Sequence, residues 1–351
     1  MVASHDPEPK VRVAKSGSWF SDKIMVKQED RATSRFFRRG SGSSSALVFA
    51  AGAVALWSTN ALVGKSLLES HPVSQVQFLQ FVGAALVFIV IRLMSRENVP
   101  RENVLPDKPP PKNPLPKNPL NAVRAALMPI SVGIIGLVGT MVLQYIAFAS
   151  MPVIEANLVA YTWPLMVAAV VIMIENPQRP VLLGLTAILG FVGVALVISG
   201  GRDHSWFQGN LVGYLAAFGS ALCMAFYSTV VGRLAASPDR VLLPSALVGV
   251  VLTFLWCLHD GIAWRADPHL LLGLYLGAGP MGLGYYFWSR ALKLEGGGKV
   301  AVVAYLTPIA STLLLTLSGE RLTVTAITGA VLVIGSCIAV GVERSEAQNN
   351  V

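Results

Sequence analysis

Val159-Ala160-Tyr161-Thr162-Trp163-Pro164 recurs as Val303-Ala304-Tyr305-Leu306-Thr307-Pro308, 144 residues further along the chain. Outward from this match the register holds. Gly184 and Gly190 return as Gly329 and Gly335, and Glu175 returns as Glu320, each 145 residues later. Gly64-Lys65 is echoed more weakly by Gly232-Arg233. One short match can arise by chance. Consecutive features in one register describe a duplicated unit.

Both copies lie in long apolar segments. Of the 351 residues, 54% are hydrophobic and only 13% charged, where a soluble domain carries about 25% charged residues. That composition excludes a soluble enzyme, a disordered protein and a secreted disulfide scaffold. It calls for a membrane protein. The three cysteines, Cys223, Cys257 and Cys337, sit in apolar segments and read as small hydrophobes.

Ten apolar segments are expected to span as helices: 46–68, 73–94, 128–150, 153–174, 181–199, 210–234, 241–258, 270–292, 300–317 and 324–342. Most approach the roughly 20 residues that cross a hydrocarbon core as a helix. Barrel strands would be shorter, with alternating apolar and polar positions. The fold class is therefore an all-α membrane protein of ten transmembrane helices. The units are 46–199 and 200–342, with a tail at 343–351. Five spans per unit is an odd number, so the two units run in opposite directions through the membrane. Inverted repeats of this kind are a transporter architecture, in which the halves exchange roles around one central site.

Two segments stand apart. Residues 1–45 carry nine cationic and five anionic side chains and read as a disordered basic tail. The acidic residues argue against a transit peptide, and no short apolar stretch marks a signal peptide. Arg35-Phe36-Phe37-Arg38-Arg39 at its end is a solvated anchor or rests on an anionic leaflet. Residues 95–125 hold eight prolines and read as a stiff extended loop. With the tail inside, 23 of the 27 Lys and Arg residues fall on the cytoplasmic side, leaving Lys65, Arg202, Arg265 and Arg321 outside. The positive-inside rule thus places both termini in the cytoplasm. The basic charge is a topology signal, so no nucleic-acid partner is expected. Membrane lipid and a small-molecule substrate are; protein partners stay unassigned.

Polar groups inside spans are costly and usually face a cavity or another helix. Those of interest are Trp57, Ser58, Thr59 and Asn60 in the first span, Thr140, Gln144 and Tyr145 in the third, and Asn157, Tyr161 and Trp163 in the fourth. The second half offers Tyr227, Ser228 and Thr229, then Tyr285, Tyr286 and Trp288, then Tyr305 and Thr307. Aromatic faces with amides and hydroxyls suit an organic solute with an apolar body and a polar head. Pro164 and Pro308 lie within spans and are expected hinges, because a proline lacks the N–H and clashes with the preceding turn. Lys65 and Glu155 fall near the outer ends of their spans, where each reaches the headgroups or the two pair across a gate.

Enzymatic readings lack their residues. The five histidines lie in the tail or in loops, with no metal-ligand spacing. No intramembrane acid pair, no buried Ser with His and no phosphate-binding loop is present. No catalytic residue, metal or cofactor is expected.

These features resemble the drug/metabolite transporter superfamily with its two tandem EamA-type domains. The resemblance covers about 46–342 and rests on Leu56-Trp57-Ser58-Thr59, the two Tyr-x-x-Pro segments, the loop glutamates and the glycine-spaced fifth and tenth spans. Ile154-Glu155 leading to Tyr161-Thr162-Trp163-Pro164 is similar to the bacterial aromatic amino acid exporter branch. That branch typically has Asn where this chain has Ala160, which removes an amide. The resemblance implies an inner-membrane exporter with Trp57, Tyr161, Trp163, Tyr227, Tyr285, Trp288 and Tyr305 around a central cavity. Asn60 and Gln144 join that set from the polar residues above. The expected cargo is a small organic metabolite, foremost an amino acid with an aromatic or large apolar side chain, moved by alternating access. The alternatives are an exporter of organic cations or other metabolites, and, in a different class, a membrane scaffold or sensor acting through the tail and proline-rich loop.

Overall fold

Hydropathy decides where the helices lie. In a computed structural model, eight helices among the described residues are long and apolar enough to cross a membrane. They are α1 (Ser44–Leu68), α2 (Val73–Ser95), α3 (Leu127–Ser150), α4 (Val153–Ile174), α5 (Pro180–Ser199), α6 (Leu211–Arg233), α7 (Pro238–His259) and α8 (Pro268–Leu294). Two shorter apolar helices follow, α9 (Val300–Leu314) and α10 (Val324–Ala339). The helix containing α10 continues to Asn349, beyond the apolar segment. The structure describes residues 44–97, 127–175, 177, 179–199, 210–264, 267–295, 297–317 and 323–349. No strand occurs among them. The basic tail up to residue 43, nearly all of the proline-rich loop and Glu320 lie outside the described residues.

The outer surface is apolar. Val181, Leu211, Leu215, Val331 and Met173 are all more than 60% exposed. Exposed apolar surface on this scale is what lipid requires of a helix bundle. The interior is built from small and aromatic residues: Ala50, Ala53, Ala84, Ala246 and Ala301 are fully buried beside Phe81, Phe88 and Trp288. The principal helix pairs are α5 with α10, α2 with α7, α3 with α6, and α2 with α8. α3 also meets α7, α8 meets α1, and α4 meets α9. The halves therefore interleave, and Ser45–Val351 forms one unit.

Close approach explains the tightest pair. A Cβ added at Gly193 would lie 2.7 Å from the Gly329 carbonyl oxygen, and one at Gly329 would lie 2.5 Å from the Gly193 carbonyl oxygen. The α5–α10 backbones touch there, as small residues permit. At Gly335, which the repeat also marks, an added Cβ meets nothing within 4 Å.

Several of these helices are interrupted, and each interruption has a local cause. α4 turns at Tyr161-Thr162, between the helices Val153–Ala160 and Trp163–Glu175. α9 turns at Ala304-Tyr305, between Gly297–Val303 and Leu306–Leu317. Each break lies just before the repeat's proline, whose ring excludes the carbonyl four residues back. The freed backbone tightens instead: Thr162 N donates to Val159 O at 3.1 Å, and Tyr305 N to Val302 O at 3.1 Å. In α1 the turn at Ser58-Thr59 has no proline. There the Ser58 and Thr59 hydroxyls donate to the Ala55 and Leu56 carbonyls at 2.7 and 2.9 Å, which bends helices. α3 and α8 each contain a widened π-helical stretch, Ile134–Gly139 and Gly277–Gly284. The second holds Pro280, which a widened turn accommodates.

Candidate functional site

The interruptions surround a cavity of about 950 Å³. α1 contributes Trp57, Asn60 and Lys65, α3 contributes Gln144, and α4 contributes Asn157, Tyr161 and Trp163. α8 adds Tyr285, and α9 adds Pro308 and Ser311. The cavity runs from mid-bundle to the end carrying the Glu69–Pro72 turn and Met151-Pro152. Lys65, Glu69 and His71 stand at that end. There His71 Nε2 lies 3.4 Å from Asp267 Oδ2 and 3.3 Å from His269 Nδ1, joining the α1–α2 turn to the start of α8.

The inner wall is an aromatic cluster. The Trp57 ring is 5.9 Å from Tyr285 in an edge-on arrangement and 5.2 Å from Trp288. Trp163 meets Trp288 edge to face at 5.5 Å and 88°. Tyr227 lies 5.7 Å from Tyr285. Tilted and edge-on contacts suit the ring quadrupoles. Trp57 Nε1 donates to the Pro280 carbonyl at 3.0 Å. Its N–H is therefore committed to the protein, which leaves the ring itself to the cavity.

Of the nine side chains expected at the site, Trp57, Asn60, Gln144, Tyr161, Trp163 and Tyr285 line the cavity. Tyr227, Trp288 and Tyr305 are placed behind it, fully buried at 0% exposure. Their surroundings explain this. Tyr227 OH shares a 2.6 Å hydrogen bond with Ser289 Oγ, and Trp288 Nε1 donates to Ser228 Oγ at 3.0 Å. Tyr305 stacks against Gly190, where a Cβ would come within 2.5 Å of its ring. Of the two prolines expected as hinges, Pro308 reaches the cavity wall and Pro164 does not.

Glu155 departs from expectation. It is 6% exposed, and Tyr214 OH donates to its carboxylate. It is held within the protein instead of reaching headgroups or pairing with Lys65. The glutamines of α2 were not anticipated at all: Gln75, Gln77 and Gln80 are 5%, 0% and 0% exposed. The available signal was three amides within six residues of an apolar span, since each must find partners or pay for desolvation. Among the described residues, no group of His, Cys, Asp and Glu is placed to hold a metal ion.

The sequence profile of the EamA-like transporter family matches residues 44–199 and 211–342. The aromatic amino acid exporter YddG of Ancylobacter novellus is 30% identical over 190 residues. That match spans 53% of this chain and 66% of the exporter's own length, just under two thirds. A solved structure, described only as the crystal structure of a protein, superposes with a TM-score of 0.68 at 25% identity. It covers 85% of this chain and 96% of that one.

Proposed function

Because the chain belongs to the EamA-like transporter family, we propose that it exports an amino acid with an aromatic or large apolar side chain. The carrying observation is the cavity, where the faces of Trp57, Tyr161 and Trp163 meet the amides of Asn60 and Gln144. A ring or large alkyl group buries against the aromatics, and a polar head finds hydrogen bonds. Similarity to a protein named as an aromatic amino acid exporter supports the same cargo.

The carrier works by alternating access between two inverted five-helix repeats, 46–199 and 200–342, in ten spans. The helix pairs support this. Replacing each helix by its counterpart five along maps α2–α7, α4–α9 and α5–α10 onto themselves. It also exchanges α3–α6 with α8–α1, and α2–α8 with α7–α3. Both termini, including the 1–45 and 343–351 tails, are cytoplasmic, and the protein resides in the inner membrane. The distribution of Lys and Arg supports that orientation. On it, the cavity mouth beside Lys65 and Glu69 faces outward, and the aromatic cluster closes the cytoplasmic side.

The test is flux in proteoliposomes holding the full chain, with labelled phenylalanine, tryptophan and leucine compared against labelled organic cations. Saturable amino-acid flux is the expected result. Saturable flux of the cations alone would replace the cargo and leave the carrier standing. A folded protein that moves none of these would overturn the proposal.

A further inference from the structure

Behind the cavity wall, α2 and α3 hold a run of side chains that the proposed transport path does not touch. Gln77, Gln80 and Tyr145 are each 0% exposed. Gln77 Nε2 donates to Gln80 Oε1, and Gln80 Nε2 donates to Tyr145 OH. Tyr145 OH then donates to Asn60 Oδ1 at 3.2 Å. Asn60 is half-buried and lines the cavity between Trp57 and Lys65.

The run has a direction. A phenol has one proton, and Tyr145 spends it on the Asn60 oxygen. At the far end the unpartnered buried atom is Gln77 Oε1, an acceptor. Reversing every bond would leave a buried amide NH2 without an acceptor there, and an orphaned acceptor is better tolerated than an orphaned donor. At the cavity end the consequence is specific. The Asn60 oxygen is occupied, and no hydrogen bond from Asn60 Nδ2 occurs among the described residues. A second feature makes room for the arrangement. Gly64 lies one turn beyond Asn60, and a Cβ there would come within 2.7 Å of the Tyr145 hydroxyl.

We infer that the Gln77–Gln80–Tyr145 run is a positioning device that holds the Asn60 amide with its NH2 toward the cargo, where it takes the cargo's carboxylate. An NH2 group presents donors only, so it selects an anionic or carbonyl oxygen and gives an ammonium nothing. Lys65 on the same wall adds positive charge for the carboxylate. The inference rests on the proposed amino-acid cargo and adds how its head group is recognised.

Equilibrium binding of labelled phenylalanine and labelled phenethylamine to the full chain in nanodiscs tests it. The two probes share the ring and ammonium and differ by the carboxylate. Tyr145→Phe frees the Asn60 amide to rotate and is expected to weaken phenylalanine binding about tenfold, the scale of a charge-assisted hydrogen bond. It should change phenethylamine binding less than about twofold. Asn60→Asp places a carboxylate at the same position on the cavity wall. It should weaken phenylalanine at least as much and leave phenethylamine unaffected or tighter, and it carries the test if Tyr145→Phe does not fold. A structural role alone would weaken both probes together. Equal losses for the two probes, or unchanged phenylalanine binding in both folded variants, would overturn the inference while the amino-acid cargo stands. A wild-type chain that binds phenethylamine but not phenylalanine would overturn the cargo and the inference together.

Discussion

Tyr161 and Tyr305 occupy the same place in the two copies of the repeat, yet Tyr161 lines the cavity and Tyr305 is fully buried against Gly190. On the proposed inverted repeat, one conformation treats the halves unequally, since a cavity open at one end is closed at the other. The two positions therefore diverge on substitution. Tyr161→Ala should lower cargo flux with little change in unfolding temperature. Tyr305→Ala removes a buried ring, and large-to-small core changes of this kind cost about 3–5 kcal/mol. Thermal unfolding beside flux measurements separates the two.

The α5–α10 contact makes a second prediction. Gly193→Ala and Gly329→Ala each drive a methyl group into backbone, and overpacking costs about 1–3 kcal/mol. Gly335→Ala should be neutral, because nothing lies within 4 Å of the added carbon. Unfolding midpoints of the three variants check this order.

Helices α2 and α7 are tied at both ends, by Arg92 to Asp239 at 3.2 Å and by Ser74 Oγ donating to Asp260 Oδ2 at 2.6 Å. The Ser74 hydroxyl, assisted by His259, holds the Asp260 carboxyl below the usual carboxylate range. A lowered folded pKa contributes stability above the unfolded value, about 3.9 for Asp, and that contribution is lost as pH falls through the folded value. Ser74→Ala should therefore be less stable than wild type at neutral pH. The gap should close as the pH falls below the ordinary Asp range and through the lowered folded value. Stability measured against pH for both proteins reads this directly.

Hydropathy made the helices legible because lipid imposes one rule along a whole segment, and the duplicated Tyr-x-x-Pro motif marked the breaks in α4 and α9. The break in α1 left no proline to read; it comes from the Ser58 and Thr59 hydroxyls, residues that also occur in straight helices. The aromatics were harder. Tyr227 and Trp288 have the residue types and spacing of cavity walls, but which face of a helix meets the cavity depends on its neighbours. Here Ser289 and Ser228 satisfy their polar atoms and keep them inside. Gln77 and Gln80 carried a signal in their cost of burial. Their partners, Tyr145 and Asn60, are brought together only by the fold.

Efflux of labelled phenylalanine from proteoliposomes, wild type against Trp163→Ala, tests most directly the proposal that the cavity is the transport site. Trp163 lines the cavity and meets Trp288 edge to face. Its loss removes a ring contact and apolar burial for the cargo, so flux at low cargo concentration should fall about tenfold or more. Saturable wild-type efflux that collapses in the folded variant is the expected result. Wild-type efflux that Trp163→Ala leaves unchanged would contradict the cavity as the transport site.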